Sequence, residues 1–261
     1  MRFLGRKTKS HTNSCLLSFM QRLVPACLLL NVLVTGACTS MAPVTPPGVK
    51  PVLYGKLYRP PSHGPTPGVI LLHGRWGLHS DEDTFAEKIA QHGYVTLVLD
   101  YYAGKGALYS RLVDNWETWE QVIRDSVGFL QNMKGFRSDR IALVGFSQGG
   151  FLAVSTSSTL PAVRAVVSYY GGATNSLNDY IEDLPPVLLI HGGADTVVPA
   201  ARSQALYDAL LSRGKTVELH IYPGMGNTFN FSGSRYDARA AADAQKRTLA
   251  FLGKYLNASK D

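Results

Sequence analysis

The segment IALVGFSQGG at 141–150 constrains this chain more than any other. Ile141–Gly145 is a short, continuous apolar run, the pattern of a strand buried on both faces. Gln148–Thr156 carries a helical pattern, so strand and helix must join through a very tight turn with Ser147 at its apex. Gly145 and Gly149, two residues to either side, stand where such a turn leaves no room for a side chain. This is G-x-S-x-G in strand–turn–helix context, which lifts a serine hydroxyl above the end of a sheet. The N-terminal N–H groups of the helix then face any oxyanion that forms on a substrate.

The rest of the chain agrees with that context. Strands are expected at Val52–Tyr58, Val69–His73, Val95–Asp100, Ala165–Tyr170, Val187–His191 and Val217–Tyr222. Helices are expected at Asp81–Gln91, Trp116–Met133, Arg202–Arg213 (stopped by Gly214) and Asp237–Leu256. Strands alternating with helices of this length give an α/β domain with a mostly parallel central sheet and helices on both faces. No internal repeat interrupts it. Ligands bind such sheets beyond the C-terminal strand ends, so the residues just after each strand carry the functional information.

Three strand ends stand out. After Val69–His73 comes Gly74-Arg75-Trp76-Gly77, a turn suited to supply an oxyanion donor through the Arg75 backbone N–H, paired with that of Gln148. His73 reads as structural, and Trp76 as either a pocket wall or a packed aromatic. After Val187–His191 comes Gly192-Gly193-Ala194-Asp195, where Asp195 can orient a base or simply cap the following turn; His191 reads as a structural core residue. After Val217–Tyr222 a histidine is expected, because the order in such sites is serine, acid, histidine. None follows His220. His220 lies within a strand and His79 follows the oxyanion turn, so either is a substitute to weigh. Nothing brings His63 or His92 toward Ser147.

The N-terminus reads as an export signal. Arg2, Arg6, Lys7, Lys9 and Arg22 precede an apolar run from Leu23 to Val34, and Thr35-Gly36-Ala37 supply small residues before Cys38. The run is shorter than the ~20 residues of a membrane span; an uncleaved anchor is the alternative. Val34–Cys38 resembles a bacterial lipoprotein box, which implies lipidation at Cys38 and a periplasm-facing membrane anchor, with plain secretion as the other outcome. Residues 1–37 thus form the signal, 38–51 a proline-rich tether, and 52–261 the folded domain. All three cysteines (Cys15, Cys27, Cys38) precede that domain, which excludes a thiol nucleophile, a disulfide framework or a cysteine metal site within it. The formal charge of +7 falls to +2 without the five basic leader residues, which removes any case for nucleic-acid binding.

Between Val52 and Tyr255 the chain resembles the dienelactone hydrolase (carboxymethylenebutenolidase-like) family. Beyond the elbow, the similarity rests on LLHGRWGL (71–78), HGYVTLVLDYYAGKG (92–106), SYYGG (168–172), LLIHGGADTVVP (188–199) and YPGMGNTF (222–229). The resemblance implies an α/β-hydrolase fold and hydrolysis of small esters or lactones through an acyl-enzyme, with no cofactor and no metal. It also implies a triad of nucleophile, Asp and His. Ser147 and Asp195 match two members, but the family histidine falls on Asn227. A glutamate that some members carry in the oxyanion turn falls on Gly74. An amide cannot accept the serine proton near neutral pH, and a serine hydroxyl without a base is a poor nucleophile. Two functions therefore remain open: an esterase or lactonase with a substitute base, or a catalytically impaired, ligand-binding relative.

Overall fold

The computed structural model describes residues 44–45, 50–61, 65–103 and 115–257, all within one compact unit, Thr39–Asp261. The expected signal segment and Cys38 lie outside the described residues, as does most of the expected tether. Two tether residues that are described sit on the domain: Val44 N–H donates to the Leu53 carbonyl (2.7 Å), and Leu53 N–H donates to Thr45 Oγ1 (3.3 Å). Among the described residues, no helix is long and apolar enough to cross a membrane.

Seven strands form one sheet. In chain order the elements are β1 (Gly55–Tyr58), β2 (Thr66–Leu72), α1 (Ser80–Gln91), β3 (Val95–Leu99), α2 (Trp116–Gln131), β4 (Phe136–Phe146) and α3 (Gln148–Ser157). They continue with β5 (Val163–Tyr169), α4 (Leu177–Tyr180), a 3-10 turn (Ile181–Asp183), β6 (Val187–Gly192), α5 (Ala201–Ser212), β7 (Val217–Tyr222) and α6 (Ala238–Leu256). The sheet order is β1-β3-β2-β4-β5-β6-β7. Only β1 runs antiparallel to its neighbour. This is the expected α/β-hydrolase architecture.

The continuous apolar runs are explained by burial on both faces. Along β2, Ile70 and Leu72 point into a core closed by Trp119 and Ile123 of α2, Leu152 of α3 and Leu206 of α5. Val69 and Leu71 point the other way, toward Phe85 and Ile89 of α1 and Phe251 and Leu252 of α6. Period-2 geometry leaves no face for water, so every position must be apolar.

Two features escaped the apolar pattern. Strand β4 starts at Phe136 rather than Ile141, because its first turn of sequence is polar and pairs with β2 across a register shift at Thr66–Gly68. The short α4 and the 3-10 turn after it carry no helical stripe long enough to read.

Candidate active site

Ser147 is held between β4 and α3 at φ 52° and ψ −116°, a conformation that an L-residue adopts only under strain. Such backbone costs on the order of 1–3 kcal/mol and persists where surroundings over-determine it. Here they do. The Ser147 N–H donates to the Tyr169 carbonyl at 2.9 Å, and its own carbonyl accepts from Gly150 (2.8 Å) as α3 begins. A Cβ at Gly145 would overlap the Gly149 carbonyl, and one at Gly149 would overlap the carbonyls of Leu72 and His73. Strand, helix and the end of β2 meet here at backbone contact, which explains both glycines.

The turn after β2 lies against the serine: a Cβ on Gly74 would sit 3.6 Å from that of Ser147. It is closed by Gly77 N–H donating to the Gly74 carbonyl (3.1 Å), with Gly77 at φ 83°. Arg75 and Gln148 both line the cavity beside Ser147. Gln148 is the first residue of α3, so its N–H has no acceptor within the helix.

Two tyrosines that sequence reasoning did not single out brace this arrangement. Tyr102 Oη donates to the Arg75 carbonyl (3.0 Å) and lies 3.3 Å from Gln148 Oε1, linking turn to elbow. Tyr101 Oη donates to the His73 carbonyl (2.9 Å), while its ring stacks on His73 at 3.9 Å. Both follow β3, where strand-end logic could have found them. His73 is fully buried and Nδ1 donates to the Gly74 carbonyl at 2.7 Å, so it props the turn as expected.

Asp195 and Asn227 come together. Asp195 Oδ1 accepts from Val197 and Val198 N–H (2.8 and 2.9 Å), and Oδ2 accepts from Asn227 Nδ2 at 2.7 Å. Asp195 is thus both a turn aspartate and the partner of Asn227. His191 lies 3.4 Å from the same Oδ2, but both ring nitrogens are engaged: Nδ1 with Ser203 Oγ (2.7 Å) and Nε2 with the Val198 carbonyl (2.8 Å). Burial pushes its pKa down, so His191 is a neutral strut beneath the acid loop.

The other histidines divide cleanly. His220 sits on the edge strand β7, half-buried rather than deep in the sheet, with Nε2 3.3 Å from Arg247 Nη1 and no part in the cavity beside Ser147. His79 is exposed at the N-terminus of α1 and lines the cavity mouth. His92 is turned back onto the Lys88 carbonyl (2.7 Å). His63 lies outside the described residues.

The cavity measures about 710 Å³. Phe146, Phe151, Val198 and Phe231 supply apolar wall, while Arg75 and Arg202 stand exposed at the mouth. Trp76, 59% exposed, is a rim residue rather than a packed core aromatic. One carboxyl is buried in this wall: Glu82, 1% exposed, on α1. Its Oε2 accepts the His79 N–H at 2.9 Å, and burial pushes its pKa up to about 8. Glu82 shares the buried face of α1 with Phe85 and Ile89, and its spacing from them is the one trace it leaves in the sequence.

Comparison with known proteins agrees with this fold. The sequence profile of the dienelactone hydrolase family matches residues 53–256. The chain belongs to the dienelactone hydrolase family. A Yersinia pestis relative named "Putative carboxymethylenebutenolidase" is 26% identical over 218 residues, covering 76% of this chain and 82% of the relative. Among solved structures, esterase PE8 is 26% identical with a TM-score of 0.63, covering 78% of this chain and 99% of that one. The dienelactone hydrolase-like promiscuous phosphotriesterase P91, from metagenomic libraries, shares the fold at 19% identity and TM-score 0.71, over 78% of this chain and 93% of its own. Family membership supports a hydrolase.

Proposed function

We propose that this family member is a serine hydrolase acting on small esters or lactones through an acyl-enzyme on Ser147. The observation that carries the reading is the strained Ser147 at the mouth of a mostly apolar cavity, with the turn at Gly74–Gly77 packed against it. The Ser147 hydroxyl attacks the carbonyl, and the N–H groups of Arg75 and Gln148 receive the oxyanion. Asp195 keeps the residue at 227 in place. Asn227 itself donates to Asp195 and moves no proton. A cavity of this size suits a small ester or lactone rather than a polymer.

The test compares wild type, Ser147→Ala and Asn227→His on short-chain aryl esters. Turnover by wild type, lost in Ser147→Ala, is expected. Equal background rates for both would overturn hydrolysis through Ser147. A second reading, a ligand-binding relative with little turnover, is supported by Asn227 beside Asp195, where the resemblance places the triad histidine. An inert wild type that gains strong turnover in Asn227→His would establish that reading instead.

We also propose export with lipid attachment at Cys38, supported by the basic, apolar and small-residue succession before it. Metabolic labelling with a fatty-acid analogue should mark the full chain and not Cys38→Ser; unlabelled wild type would refute attachment.

A further inference from the structure

A nucleophilic serine needs a proton acceptor; neither Asn227, His191 nor His220 can serve, and His79 stands exposed at the cavity mouth as the N-cap of α1. We propose that Glu82 is a further catalytic residue, the carboxylate that takes the Ser147 proton directly or through one water. This rests on the reading of Ser147 as the nucleophile.

Three observations converge on it. First, Glu82 lines the same cavity as Ser147 yet is 1% exposed. Second, its position is fixed: as the third residue of α1 it closes a capping box, with Oε2 held by the His79 N–H. Third, the same cavity wall holds an unsatisfied hydroxyl. Tyr170 Oη is buried, lines the cavity and has no hydrogen-bond partner among the described residues, and a charge on Glu82 acts on it. A buried acid and an unpartnered buried hydroxyl in one cavity wall are a costly arrangement for structure alone.

The surroundings set when Glu82 ionises. The groups that face it are Asp81 and Asp83 on its own helix, Tyr101 after β3 and Tyr170 after β5, with His79 supplying a backbone N–H. Both neighbouring aspartates and burial disfavour the anion, and the capping N–H groups favour it; burial dominates. The carboxyl therefore titrates near pH 8, within reach of working conditions, where a general base combines useful basicity with an available charged form.

The chemistry balances. As the Ser147 Oγ–carbonyl bond forms, the hydroxyl proton passes to the Glu82 carboxylate. Collapse of the tetrahedral adduct breaks the bond to the leaving alcohol oxygen, which takes that proton from Glu82. Water then attacks the acyl-enzyme and gives its proton to Glu82, which returns it to Ser147 Oγ as the acid departs.

The experiment measures kcat/KM for 4-nitrophenyl acetate from pH 6 to 9.5 in wild type, Glu82→Gln, Ser147→Ala and the double variant Glu82→Gln/Asn227→His. Glutamine keeps an oxygen for the His79 N–H, so the cap survives. Wild type should rise to a plateau above about pH 8; Glu82→Gln should lose about 100-fold or more and that inflection. The double variant should recover turnover, showing an intact elbow. Glu82→Gln with wild-type rate and pH profile, where Ser147→Ala is inert, overturns the proposal and leaves Ser147 standing. Wild type no faster than Ser147→Ala at every pH overturns both.

Discussion

The buried carboxyl of Glu82 should be visible in stability as well as in turnover. Its pKa is about 8 in the folded chain against an ordinary 4.5. A raised folded value means that the group's stability contribution is full below about pH 4.5, where it is protonated in both states. The contribution is lost progressively as pH rises toward 8, because only the unfolded chain releases the proton easily. At about 1.4 kcal/mol per pH unit, the loss across that window reaches up to roughly 5 kcal/mol, an order-of-magnitude ceiling set by burial. Glu82→Gln removes the titration while keeping shape and cap. Urea unfolding at pH 5 and pH 8.5 should find the two proteins within about 1 kcal/mol at the lower pH, with the variant more stable by several kcal/mol at the higher. His191 titrates in the opposite sense, its depressed folded value costing stability as pH falls below its ordinary 6.5. Both proteins carry it, so their difference isolates Glu82. A difference between them that does not change with pH would refute the buried-acid reasoning.

Three further outcomes follow from the site's geometry. Gly149→Ala drives a methyl group into the carbonyls of Leu72 and His73, so soluble yield and melting temperature should fall sharply. Asp195→Ala strips the acceptor from Val197, Val198 and Asn227, about 1–3 kcal/mol for each buried group left unpaired; urea midpoints should show a loss larger than Asp195→Asn produces. Tyr102→Phe removes the bridge between the Arg75 carbonyl and Gln148, at about 1 kcal/mol of stability. Ester turnover should fall by more than that stability loss accounts for, whereas unchanged turnover would show that the oxyanion turn holds itself.

What could be read in advance was what backbone geometry enforces. The run at 141–145, the glycines around Ser147 and the strand-end position of Asp195 are local demands, and each was legible from residue type and spacing. Asn227 was legible as an anomaly, since its place follows from the loop after β7. Glu82 was not singled out, because its significance depends on which face of α1 is buried and against what. Tyr101 and Tyr102 likewise act through hydrogen bonds to a turn 27 or 28 residues away in sequence. The half-exposed state of His220 follows from β7 closing the sheet edge, which a strand pattern cannot tell from a central position.

Covalent capture asks whether Ser147 is a chemically competent nucleophile despite Asn227. The full chain is treated with a fluorophosphonate at pH 8.5 and the adduct located by intact mass and peptide mapping. One adduct per chain is expected, on Ser147, absent from Ser147→Ala and slowed in Glu82→Gln. An unmodified wild type, or an adduct retained in Ser147→Ala, would contradict it.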